Sequence, residues 1–156
     1  MAYWLFKSEP DAYSIDDLKK QGIGCWDGVR NYQARNFLRD GVKKGDSILF
    51  YHSSCAVPAI VGVAKAVKEA YPDPTQFDPA HKYHDPKSTK DKPRWVAVDV
   101  QYTKHIQPIT RDDLRAHPTL CHISLLQRGQ RLSILPISRD EWTAIAALMK
   151  KPGSTS

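Results

Sequence analysis

Ser47-Ile48-Leu49-Phe50-Tyr51-His52 and Ala59-Ile60-Val61-Gly62-Val63-Ala64-Lys65-Ala66-Val67 are two apolar runs joined by the short stretch 53–58. Both are rich in β-branched, aromatic and small apolar residues, and both read as strands. So tight a succession predicts antiparallel pairing. Lys44-Gly45-Asp46 is a turn into the first strand, and the second runs on towards Tyr71. On the N-terminal side, Asn31 to Asp40 is helical in pattern, with Ala34, Phe37 and Leu38 on one face and Arg35 and Arg39 at i, i+4 on another. Gly41 ends it. Gly24-Cys25-Trp26-Asp27-Gly28 is turn-rich. Ser14 and Asp17 have the spacing of a capping box, which predicts a short helix to about Lys20, stopped by Gly22. Tyr3 to Lys7 is a first strand, broken by Ser8-Glu9-Pro10-Asp11.

On the C-terminal side, Pro72 to Pro93 holds five prolines and many charges, and predicts a long functional or mobile loop. Trp95 to Tyr102 alternates as a strand. Thr110 caps a helix beginning Arg111-Asp112-Asp113-Leu114, and Arg131 to Ile137 reads as the last strand. Ser138 and Glu141 form a second capping box by spacing. They open a terminal helix whose inward face is Trp142, Ile145, Ala146 and Met149. One domain over residues 1–151 is expected, with a flexible tail at 152–156. Several strands with short helices on the connections give a mixed α/β (α+β) fold, barrel-like. The regular strand–helix alternation of a parallel sheet is missing.

The chain has 156 residues, 41% of them apolar and 26% charged, enough for a core without disulfides or metal. No apolar run approaches the roughly 18 residues of a membrane helix. The N-terminal stretch reads as a strand and not as a signal peptide. Cys25, Cys55 and Cys121 are odd in number, widely spaced and without a CxxC pair, so no disulfide framework or zinc site is expected. These features point to a cytoplasmic protein with no membrane partner. The net charge of +6, without a dense Lys/Arg block, permits a polyanion partner but does not require one.

GxSxG, P-loop and HExxH motifs are absent. His81-Lys82-Tyr83-His84-Asp85 lacks a second ligand pair at metal spacing. Asp16-Asp17 and Asp112-Asp113 read as helix first-turn acids. No metal and no cofactor are expected. Trp26 and Trp95 stand at loop–strand junctions, where a large aromatic can stack on a planar ligand. Lys7-Ser8, Asn31 and His52-Ser53 lie beside strand ends and aromatics. Such groups can hydrogen-bond the edge of a base that is flipped out or single-stranded. Each of them also has a bland reading, as a cap, a turn or a plug of the barrel end.

Taken together, these segments resemble the EVE domain family, a relative of the PUA-like folds. The matching stretches are Tyr3-Trp4-Leu5-Phe6-Lys7-Ser8-Glu9-Pro10 and Trp26-Asp27-Gly28-Val29-Arg30-Asn31-Tyr32-Gln33-Ala34-Arg35-Asn36. Gly45-Asp46, Phe50-Tyr51-His52-Ser53, Ala70-Tyr71-Pro72-Asp73, Tyr83 to Ser88, Pro93-Arg94-Trp95, Arg131-Leu132-Ser133 and Glu141-Trp142 follow in the family's order. The resemblance implies a PUA-like β-barrel, related in shape to YTH and ASCH domains. It also implies a non-enzymatic reader of modified bases, with 5-methylcytosine and 5-hydroxymethylcytosine in DNA leading. The implied pocket is Lys7, Ser8, Trp26, Asn31, His52, Ser53 and Trp95, with Arg131 and Ser133 near the rim. Arg30, Arg35, Arg39, Lys43, Lys44 and Arg128 are then expected on phosphates. Eukaryotic members carry a basic N-terminal extension that is absent here, which points to a bacterial stand-alone protein acting as a monomer. Two alternatives stay open: a module reading modified RNA, and a small hydrolase acting on nucleotides with His52 and Asp99 or Asp85 as acid–base groups.

Overall fold

The computed structural model describes residues 1–149; the expected tail at 152–156 and the domain end at 151 lie outside the described residues. In chain order the elements are β1 (Tyr3–Ser8), α1 (Ile15–Gln21), β2 (Ile23–Trp26), α2 (Tyr32–Asn36), β3 (Ser47–His52) and β4 (Ala59–Pro72). These are followed by β5 (Val96–Thr110), α3 (Arg111–Arg115), β6 (Ile134–Ile137) and α4 (Arg139–Met149). The strands form one mixed sheet in the order β2-β5-β4-β3-β1-β6. β3 and β4 pair antiparallel, as their spacing predicts. β1 pairs with β3 in parallel, because α1, β2 and α2 carry the chain across between them.

The sheet curls without closing. β2 is separated from β1 by three strands, so in a flat sheet the two would lie about 19 Å apart. Yet the Trp26 ring on β2 sits 5.1 Å from Phe6 on β1 and 5.3 Å from Phe50 on β3. This curl encloses one core, built on Trp4, Phe6, Trp26, Ile48, Phe50, Ala64, Val98 and Val100 and covered by Ile15, Leu18 and Leu38 from the helical segments. The opposite face buries Leu5, Leu49, Tyr51, Ile60 and Leu135 against Leu114, Ile145 and Leu148. Burial on both faces explains why β3 is continuously apolar instead of alternating.

Four expectations need correction. Ile23–Trp26 is an edge strand and not a turn: β5 is long enough to hold it through Cys25↔Asp99 and Trp26↔Val98. β5 itself runs past Tyr102 to Thr110, because β4 pairs along most of its length. The last strand starts at Ile134 and not at Arg131, since the Leu132 N–H is satisfied by the Gln130 side chain instead of a ladder partner. The helix predicted from Asn31 to Asp40 is α2 followed by one π turn, Phe37–Gly41, whose i→i+5 bond runs from Val42 N–H to Phe37 O. The capping boxes at Ser14/Asp17 and Ser138/Glu141 form as their spacing predicts, and Thr110 caps α3 as expected, with Asp113 closing a further box.

Candidate ligand cavity

A cavity of about 640 Å³ opens in the gap between the last residues of β1 and β2. β1 contributes Lys7 and Ser8, and the following turn contributes Glu9, Ala12 and Tyr13. β2 and its extension contribute Cys25, Trp26, Asp27, Gly28, Val29 and Arg30. Gln21, Ser53, His81–Tyr83, Arg131 and Ser133 complete the wall. Three aromatic side chains therefore face one hollow. Trp26 is only 7% exposed, and its inner edge packs on Phe6 and Phe50. Tyr13 meets Trp26 edge-on at 6.2 Å. Tyr83 lies against the Gly28 backbone so closely that a Cβ there would fall 2.5 Å from its ring, and Gly28 adopts φ +77°. Only glycine meets both demands. A second concavity, of about 530 Å³ beside Met1–Trp4 and Pro136–Ile137, has Arg139 as its one charged lining residue.

The walls are held by the proline-rich loop. Asp73 is fully buried and accepts from Gly28 N–H, Thr75 N–H, the Thr75 hydroxyl and Arg30 Nη1. Arg30 also donates to Val29 O, Tyr83 O (from both Nε and Nη2) and Thr75 Oγ1, so all five of its N–H groups are used. Gln76, equally buried, donates to Asp73 O and Trp95 O and accepts from Arg94 N–H and Trp95 N–H. The long loop is thus stapled by polar side chains, with little apolar contact. Gln76→Leu has nearly the same volume but strands the Trp95 amide. It is expected to lower the unfolding free energy in urea by about 2–3 kcal/mol.

Over residues 2–148 the sequence matches the family model described as "EVE domain". The chain belongs to the EVE domain family. Thymocyte nuclear protein 1 of Mus musculus is 45% identical over 94% of this chain and 73% of its own length. A crystal structure of a Pseudomonas syringae protein superimposes with TM-score 0.90 at 49% identity, covering 95% of this chain and 99% of that one. Human THYN1, solved in complex with 5-methylcytosine-containing DNA, superimposes with TM-score 0.91 at 42% identity, covering 97% and 99%.

In this EVE domain six of the nine expected pocket residues line the cavity: Lys7, Ser8, Trp26, Ser53, Arg131 and Ser133. The other three do not. Asn31 is the exposed N-cap of α2, its Oδ1 accepting from Ala34 N–H. His52 turns to α1, where Nε2 accepts from Ile15 N–H. Trp95 is 6% exposed, stacks on Tyr32 at 4.8 Å and donates its indole N–H to Asp85. Of the expected phosphate contacts, Arg30 is fully engaged, and Arg35 donates to Arg94 O while lying over Tyr32. Arg39 pairs with Asp40. Lys43 and Lys44 are exposed but sit before the start of β3, whereas Ser53, which lines the cavity, follows its end. Arg128 is exposed near Arg131 in sequence. The acid–base set His52, Asp85 and Asp99 is scattered: Asp85 serves Trp95, and Asp99 accepts from the Tyr71 hydroxyl.

Sequence reasoning missed Tyr13, Asp27 and Tyr83 as lining groups of this EVE domain. The usable signal was their place inside the matching stretches or directly beside them. Burial and the nearby Arg111 charge lower the Lys7 pKa. Burial, then the Asp17, Asp27 and Cys25 charges, raise Tyr13 to about 12, which keeps its hydroxyl protonated as it donates to Gln21. Crowding by the cavity walls and the Asp73 carboxylate raise Asp27, while His81 and Arg30 pull the other way. Burial lowers His52, so the ring at α1 is neutral near pH 7.

Proposed function

We propose that this EVE domain binds nucleic acid that presents one extruded, modified base, with modified cytosine in DNA as the leading ligand, and that it does so without turnover. The observation that carries this reading is the cavity itself. Trp26, Tyr13 and Tyr83 offer flat apolar surface, while Lys7, Ser8, Asp27, Ser53 and Ser133 offer donors and acceptors at its rim. The DNA held by human THYN1 supports the same ligand class. Dispersal of His52, Asp85 and Asp99 into structural contacts supports the non-enzymatic reading. Free thiols at Cys25, Cys55 and Cys121 support a reducing, cytoplasmic setting.

Phosphates would be met by side chains around the mouth, and not by Arg30, Arg39, Lys43 or Lys44. Lys82, Lys87, Lys90 and Lys92 are exposed on the loop that also carries Tyr83, and Arg128 and Arg131 are exposed on the segment before β6. Binding should weaken with added salt as counterions are retained.

The test is a titration of oligonucleotides that differ only in cytosine modification, with an RNA counterpart as a further arm. A preference for modified DNA is expected; equal affinity for every oligonucleotide defeats the reading, and a preference that requires the 2′-hydroxyl moves it to RNA. Tyr83→Ala should weaken binding of modified DNA by about 1–3 kcal/mol through lost stacking. The loop itself should stay in place, because Arg30 keeps its two hydrogen bonds to the Tyr83 backbone carbonyl and loses only its contact with the ring face. A melting temperature close to wild type, measured beside the titration, checks this.

A further inference from the structure

We infer that Asp27 selects a cytosine-type base over a thymine-type base, by accepting a hydrogen bond from the exocyclic amine at C4 of the flipped heterocycle. This rests on the cavity being a base pocket, and it adds the group that reads the base's identity.

Asp27 directly follows Trp26, the last residue of β2, so its backbone is set by the end of the β2–β5 ladder. Its side chain lines the cavity. Among the described residues no other residue donates a hydrogen bond to the carboxylate and none forms an ion pair with it, so the exposed side chain at the cavity wall is free to take a ligand donor. The two cationic groups whose charge reaches Asp27, Arg30 and His81, are committed elsewhere. Every Arg30 N–H is used on Asp73, Thr75, Val29 and Tyr83. His81 Nδ1 accepts from Tyr83 N–H, and its ring stacks on Tyr83.

An ionised carboxylate is an acceptor only. Cytosine and its 5-substituted forms present an amine at C4, whereas thymine and uracil present a carbonyl oxygen there. Asp27 therefore matches the first class and repels the second. The concave walls and the nearby Asp73 carboxylate make an unpaired charge at Asp27 unfavourable, as the rise in its pKa records. A donor arriving there relieves a cost already present, so the contact should discriminate more sharply than one in open water. Lys7 lines the same cavity without an acidic partner among the described residues. It supplies a donor suited to the ring-nitrogen and carbonyl acceptors of cytosine's edge.

5-Methylcytosine and thymine share size, methyl group and stacking face, and differ at C4 and in the N3 proton. Short single-stranded oligonucleotides carrying one or the other remove the cost of breaking a base pair, and an abasic oligonucleotide gives the base-independent affinity. The wild-type chain is expected to prefer 5-methylcytosine over thymine by about 5- to 150-fold, the range of one good base-edge contact. Asp27→Asn should bring that ratio close to one, because an amide can turn either its oxygen or its NH2 to the base. Loss of a negative charge raises affinity for both oligonucleotides alike, so the ratio is the readout. Asp27→Ala, as a second variant, should likewise bring the ratio close to one, with affinity for thymine no lower than in the wild type. Retention of the wild-type ratio in folded Asp27→Asn, as judged by its melting curve, overturns the role of Asp27. So does wild-type binding that favours both bases over the abasic oligonucleotide but does not tell them apart; the base-reading function survives in that case. Equal wild-type affinity for all three oligonucleotides removes the function and this inference together.

Discussion

Asp73→Ala is expected to lower the unfolding free energy by about 3 kcal/mol at neutral pH, the low end of the cost of breaking a buried ion pair. Asp73 is 0% exposed, while its partner Arg30 retains 22% exposure, and that residual water softens the loss. Three effects combine. The Gly28 amide loses its acceptor, the Arg30 guanidinium loses its counter-charge, and the turn Pro74–Phe77 loses the N-cap bond taken from the Thr75 amide. Urea denaturation measures the sum. The pH dependence identifies the source. Burial alone would raise the Asp73 pKa, but hydrogen bonds from Thr75, Gly28 and Arg30 outweigh it and hold the pKa below the ordinary 3.8. A depressed carboxylate stabilises the fold fully above its unfolded pKa and loses that contribution as pH falls through its folded one. The gap between wild type and Asp73→Ala should therefore be constant above about pH 5 and shrink as pH falls below the ordinary value. A gap independent of pH down to the acid transition would place the loss in packing, not in charge.

Trp26→Ala should cost about 3–5 kcal/mol, the usual range for emptying a core aromatic site. Trp26 is in ring contact with Phe6, Phe50 and Tyr13, and it ties the end of β2 back onto β1 and β3. Removing it takes away the strut that keeps the curled sheet curled. Loss of nucleic-acid binding in this variant would therefore say little about base contact. Trp26→Phe keeps much of the packing while shrinking the stacking surface, so it should bind more weakly while staying far more stable than the alanine variant. Chemical denaturation beside an oligonucleotide titration separates the two effects. Asn31→Ala behaves differently again: it removes a helix cap worth about 0.5–2 kcal/mol and should leave base selectivity intact.

The strands at 3–8, 47–52 and 59–72 and the capped helices were legible because burial and capping leave local marks at fixed spacing. β2 was not legible. Ile-Gly-Cys-Trp is too short and too glycine-rich to announce a strand, and only its long partner β5 makes it one. The cavity was half legible for a related reason. Ser8, Trp26 and Ser53 stand at strand ends, where a pocket mouth is commonly found. Asn31, His52 and Trp95 carry the same polar or aromatic types in the same neighbourhoods, yet they face a helix N-terminus, a backbone amide and the Asp85 carboxylate. Sequence gives residue type and neighbourhood, while the direction of each side chain depends on partners far along the chain. The buried amide of Gln76 and carboxylate of Asp73 sat in what read as an unstructured loop, because polar staples leave no apolar period to detect.

The cavity's walls come from residues 7–13, 21, 25–30, 53, 81–83 and 131–133, six stretches that meet only when the sheet has curled. No excised peptide can reproduce such a receptor, and a chain that uncurls releases whatever it holds. Occupancy and integrity then rise and fall as one equilibrium: a ligand at a hundred times its Kd should add about 2.7 kcal/mol to the unfolding free energy. A melting curve recorded over a panel of nucleosides becomes, for this molecule, a direct assay of its chemical taste.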